Sequence, residues 1–127
     1  MEKAKQRARD IQFFSNKNET MILVHSAEAR NFAKGLEENS WIAKYETCVS
    51  LDMQQYAHVS PIDIRADYLK SAWVSDFLLT YADGRKGIVE LVKRDQLLKR
   101  AVCEKLELSR RYWAALDIKD WKVRVVA

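Results

Sequence analysis

Residues 73–93 read WVSDFLLTYADGRKGIVELVK, and the fold turns on them. Trp73 to Tyr81 is rich in β-forming residues, and Lys86 to Val92 is a second such run. Asp83-Gly84 between them is a strong hairpin signal, so two adjacent strands are predicted. Each strand carries an acid in apolar surroundings, Asp76 in the first and Glu90 in the second. Buried carboxyl groups are costly unless they are paired or bound to a cation. Two of them facing one cavity make a natural Mg²⁺ site, because that ion takes one or two carboxylates together with waters and phosphate oxygens. Lys93 follows Glu90 by three residues, and an ammonium there would orient or deprotonate an attacking water, or steady charge on a phosphate. Whether the two acids share a face depends on register, which the sequence leaves open.

On the N-terminal side, residues 2–11 suit a short basic helix or a flexible arm. Thr20 to Val24 (TMILV) is a compact β run. Ser26 reads as a helix N-cap, with Glu28 in the first turn, where negative charge suits the helix dipole. Ala29, Phe32, Ala33 and Leu36 form an apolar stripe running to about Glu38. Trp41 to Leu51 looks extended, residues 52–61 form a loop, and Ile62 to Leu69 alternates imperfectly, as a further strand would. On the C-terminal side, Asp95 is placed to cap a helix whose apolar face is Leu98, Val102, Lys105, Leu108, Tyr112 and Ala115, ending near Asp117. Trp121 to Val126 (WKVRVV) alternates cleanly, as a final strand does. The order is helix, β-meander, long helix, strand, which predicts one α/β domain over 1–127, a mixed sheet with helices on both faces.

Composition fits one such domain. Three glycines and one proline argue against disorder, no apolar run is long enough to span a membrane, and the charged first residues are unlike an export signal. Cys48 and Cys103 lie far apart with no histidine cluster, which reads as two reduced thiols rather than a zinc site. The expected location is cytoplasmic. Net charge is +4, and residues 93–111 alone carry that excess: Lys93, Arg94, Lys99, Arg100, Lys105, Arg110 and Arg111 against Asp95, Glu104 and Glu107. Such a stretch suits either phosphates or a solvated helix face. His25 and His58 read as ordinary strand-end and loop residues, and Gln54-Gln55 as a solvated loop. The four tryptophans read as mostly core, while one of the adjacent Tyr112-Trp113 pair should be exposed, since neighbours on a helix point apart.

The run SDFLLTYADGRKGIVELVK resembles the signature of the PD-(D/E)xK nuclease superfamily in its TnsA-like form, with Ser75-Asp76-Phe77 matching Pro-Asp-Phe. Upstream, Ser26-Ala27-Glu28 and Phe32 are similar to the family's glutamate-bearing helix, and KLELSRRYWAALDIKDWKVRVV to its closing helix and strand. The resemblance spans roughly residues 20–126. It implies a restriction-endonuclease-like mixed β-sheet flanked by α-helices, in a prokaryotic or phage-type context. It implies catalytic roles for Glu28, Asp76, Glu90 and Lys93, and Mg²⁺ (or Mn²⁺) held by Glu28, Asp76, Glu90 and the main-chain carbonyl of Leu91. Lys93, Arg94, Lys99 and Arg100 would hold double-stranded DNA. The implied activity is metal-dependent hydrolysis of phosphodiester bonds at transposon ends, beside a partner transposase subunit and an ATPase regulator. One departure matters. The family's lysine stands two residues after the acid, where this chain has Val92, and a strand places Glu90 and Lys93 on opposite faces unless a β-bulge intervenes. That departure supports the alternative of a non-catalytic DNA-binding or assembly subunit with the same fold, and leaves Lys99 as a substitute for the lysine.

Overall fold

A computed structural model describes residues 10–127. The expectation for residues 2–11 falls almost wholly outside them. Among the described residues, no helix is long and apolar enough to cross a membrane. The elements are β1 (Ile11–Ser15), β2 (Thr20–Val24), α1 (Ala27–Glu38), β3 (Ile42–Ser50), β4 (Val74–Tyr81), β5 (Lys86–Lys93), α2 (Arg100–Ala115) and β6 (Asp120–Val126).

β1 and β2 form a two-stranded antiparallel hairpin. β1 escapes the sequence reading because IQFFS is short and set among charged and polar residues. The other sheet has the order β3-β4-β5-β6: the first three strands are antiparallel, and β6 lies parallel to β5. A parallel return needs a crossover, and α2 supplies it. The fold is therefore a mixed α/β sheet flanked by helices, consistent with the restriction-endonuclease-like class.

α1 starts where Ser26 caps it, its hydroxyl accepting from the Ala29 N–H at 3.0 Å. Ala29, Ala33 and Leu36 pack with Phe77, Leu79 and Val89 on one face of the sheet. The end of α1 is tied to the hairpin through Glu37, which accepts from Ser15 Oγ, Tyr45 Oη and the Lys17 N–H. Burial alone would raise the Glu37 pKa, and the hydrogen bonds from Ser15 and Tyr45 outweigh it and bring it below the usual value.

The other face of the sheet is covered by α2 and by the long connection after β3. Residues 62–69 are not a strand: their backbone–backbone hydrogen bonds are local, Ile64 to Pro61 and Tyr68 to Arg65, and Asp63 adopts a positive φ of 64°. Leu51, Tyr56, Val59 and Ile64 from this connection pack on Leu108, Tyr112 and Trp113 of α2. That second layer is why both Tyr112 and Trp113 are buried, against expectation. α2 also begins later than expected. Asp95 lies in a 3-10 turn, Lys99 occupies the N-cap, and Leu98 is 95% exposed rather than on the apolar face. Trp41 is likewise no core residue, at 48% exposed.

Gly87 is required by a close approach. A Cβ there would meet Tyr81 Oη at 2.7 Å and Asp120 Oδ2 at 2.8 Å, the two atoms that hydrogen-bond each other across β4 and β6. Gly87→Ala is expected to destabilise the fold by about 1–3 kcal/mol through this overpacking, read as a lower urea midpoint at unchanged m-value.

Candidate active site

β4 and β5 pair only from Phe77↔Val89 to Thr80↔Lys86. Beyond Val89 the ladder opens, and the two acids part company. Glu90 turns into the α2 layer and is 1% exposed. Its carboxyl accepts from Ser75 Oγ at 2.7 Å, Trp73 Nε1 at 3.2 Å and Ser109 Oγ, with the Asp76 N–H at 3.4 Å. The two serines are themselves held by indoles, Trp113 Nε1 donating to Ser75 Oγ at 3.0 Å and Trp121 Nε1 to Ser109 Oγ at 3.2 Å.

Ser75 thus faces α2, although Phe77, two residues later, faces α1. The side-chain alternation slips between them, at Asp76. The partner strand is irregular at the same level. Cys48 lies opposite Asp76, between the pairs Thr47↔Phe77 and Val49↔Ser75, and has a positive φ of 53°. A bulge-like distortion of this kind re-aims a side chain. Asp76 is consequently aimed away from Ser75 and the donors around Glu90, into a hollow that Val102 and Leu106 of α2 also line. Its Oδ2 accepts the Leu91 N–H at 2.7 Å, replacing the missing ladder bond, and its other oxygen has no hydrogen-bond partner among the described residues. Burial pushes the Asp76 pKa up to about 6; the Leu91 N–H pulls it down, nearby Glu90 pushes it up, and nearby His25 pulls it down.

β5 itself is regular, pairing with β6 without a break from Gly87↔Asp120 to Lys93↔Val126. No bulge returns Lys93 to the face of Glu90. Lys93 instead shares a hollow of about 340 Å³ with Asp76, together with Leu91, Val92, Gln96 and Trp73. The expected site residues therefore separate. Asp76, Leu91 and Lys93 come together. Glu90 lies behind them in the interior, and Glu28 sits half-buried in the first turn of α1. Among the described residues, no three His, Cys, Asp or Glu side chains lie close enough to hold a metal ion. The donor chemistry fits a cation at Asp76, which has an oxygen to spare, and not at Glu90, whose carboxyl is occupied by protein donors.

Lys93, which lines the hollow, and Arg94 and Lys99 after it in the chain are exposed and make no ion pair among the described residues. Arg100 is engaged by Glu104 at 3.0 Å, and Arg110 and Arg111 both bind Glu107. The hydrogen bond from Arg110, followed by that from Arg111, holds the Glu107 pKa down at about 2 despite partial burial. Much of the charge on α2 is thus spent within the helix.

A family model described as TnsA-like endonuclease N terminal matches residues 36–125, well over half of the chain. The chain belongs to the TnsA-like endonuclease N-terminal family. No curated protein matches it. The TnsA-like match takes in both strands of the hollow and α2, while Glu28 lies before it. Sequence reading missed the three side-chain donors to Glu90, Trp73, Ser75 and Ser109, and the place of Gln96 in the lining of the hollow. The one available signal was Ser75, a small hydroxyl inside the β-forming run WVSDFLLTY.

Two outcomes follow for the metal-free protein. Asp76 has a raised pKa when folded, so its contribution is most favourable below the unfolded value of 3.8 and is lost as pH rises through about 6. Asp76→Asn should therefore gain stability over the wild type on the order of 1–3 kcal/mol at pH 7.5, with the gap closing below pH 4. Glu90→Ala leaves buried donors without an acceptor and should cost at least about 2–3 kcal/mol at either pH. Paired urea melts at pH 4 and 7.5 measure both.

Proposed function

We propose that this TnsA-like domain is a nuclease-type subunit of a heteromeric transposase, and that it hydrolyses DNA phosphodiester bonds at transposon ends from the Asp76 hollow. The observation that carries the reading is the meeting of Asp76 and Lys93 in one hollow, which joins the acid and the ammonium that phosphodiester hydrolysis requires. Lys93 lines the hollow, and the exposed cations Arg94 and Lys99 follow it in the chain, a set that suits phosphates of double-stranded DNA. Mg²⁺ or Mn²⁺, when bound, would be held by Asp76, and would neutralise phosphate oxygens and acidify a water. Lys93 opposes the charge that builds on the phosphate. The Leu91 N–H fixes one oxygen of Asp76 and so orients the other. Glu90 supports this arrangement from behind, through Ser75 and the Asp76 N–H. A partner transposase would cut the strand this subunit leaves intact, under an ATPase regulator.

A specific observation favours a second reading, a non-catalytic assembly subunit. Glu90 is engaged in the interior, and Val92 is buried at the position of the family's lysine. Nicking of supercoiled plasmid separates the two readings. With Mg²⁺ or Mn²⁺ and the partner transposase present, the wild type is expected to nick. Asp76→Asn should reduce the rate at least about 100-fold, and Lys93→Ala by about 10- to 100-fold. A folded wild type that binds the partner and DNA without nicking in any metal would establish the assembly reading.

A further inference from the structure

A second concavity, of about 610 Å³, runs along the α1 face of β5 and β6 from the Asp83-Gly84 turn toward the level of Leu91. None of the residues around Asp76 lines it. It exists because α1 covers β3 and β4 and leaves this part of the sheet open. Its lining mixes flat rings with cations. Trp41, half-exposed at the end of α1, stacks on Tyr81 with ring centroids 6.3 Å apart and planes at 29°. The Arg124 guanidinium lies 5.8 Å from the Phe32 ring centroid and pairs with no carboxylate among the described residues. Arg85 and Lys122 complete the cationic side. One acid, Asp120, lines the groove, and it is engaged by Tyr81 Oη and by Lys122 at 3.4 Å, while Asp83 beyond the rim holds Arg85 at 2.7 Å.

We propose that this groove binds an unpaired nucleic-acid strand, with bases stacked on Trp41 and phosphates on Arg124, Lys122 and Arg85. The chemistry favours that occupant over the alternatives. An exposed indole beside cations is the combination by which proteins hold single strands without reading sequence, since every base offers a ring face. A duplex keeps those faces inside its stack, so it would gain from the cations alone. An acidic peptide would likewise meet the cations and leave Trp41 without a ring to stack on. The proposal goes beyond cleavage and needs no metal.

The test is fluorescence anisotropy of a labelled oligothymidylate of about 15 nucleotides, titrated with the full chain in EDTA. Binding is expected with a salt slope near −2, three phosphates at about −0.7 each. Trp41→Ala should weaken it about 5- to 100-fold, with Trp41→Phe restoring most of the loss. Arg124→Glu should weaken it roughly 10-fold and flatten the slope by about 0.7. Both side chains are exposed, and the Trp41 backbone bonds to Asn39 and Ala82 survive substitution. Should Trp41→Ala fail to fold, Arg124→Glu alone decides. The proposal is overturned by no binding, by unchanged affinity in Arg124→Glu, by Arg124→Glu weakening a duplex of equal length as much as the single strand, or by displacement with polyglutamate. Because no nicking is measured, these outcomes are independent of whether the Asp76 hollow cleaves DNA.

Discussion

Glu90 is anchored by hydroxyl and indole donors from the start of β4, from the residue before it and from α2, and this interior knot sets the geometry around it. A carboxyl group that is 1% exposed among tryptophans needs all the donors it can collect. Ser75 must therefore face α2. Phe77 must face α1, where it fills the centre of the other core. A regular strand cannot meet both demands, because 75 and 77 fall on one side. The conflict resolves at Asp76, opposite Cys48, where both strands depart from regularity. The aim of the candidate catalytic acid is thus fixed by a polar cluster that never reaches the surface.

The same slip changes which residues of β5 matter. Had β4 stayed regular, Asp76 and Glu90 would have faced each other on the α2 side, and Lys93 would have stood across the sheet from both. With Asp76 turned away, its neighbours along β5 are Leu91 and Lys93. Leu91 and Lys93, two residues apart on β5, line the hollow with Asp76, one residue later than the acid at Glu90 suggests. Leu91 contributes main chain where the family pattern has an acid, and Val92 becomes core.

Much of the architecture was legible in the sequence, because it rests on local signals. TMILV, the Ser26 cap, the Asp83-Gly84 turn and the WKVRVV alternation each declare themselves within a few residues. The fold class follows from their order. What was not legible depends on contacts distant in sequence. Residues 62–69 alternate like a strand, yet they serve as a lid over α2, which is also why Tyr112 and Trp113 are both buried. Asp95 looks like a cap, but the chain spends another turn before α2 begins. At the site, the adjacency of the two acid-bearing strands was readable from the hairpin. The separation of the acids was not, since it depends on Ser109, 19 residues beyond Glu90.

Charge follows the same rule. Read along the chain, residues 93–111 hold the whole cationic excess and look like one phosphate-binding face. In the fold, Arg100, Arg110 and Arg111 are ion-paired with Glu104 and Glu107, which halves the charge that the four cations of α2 present. Cations also stand at the Asp76 hollow, at Lys93, and on the open face of β6, where Lys122 and Arg124 alternate with inward-facing residues. β5 runs between these two regions and contributes Lys93 to one and Val89 to the other. A nucleic acid drawn to both would cross the end of β5 at Leu91, the residue whose N–H holds Asp76.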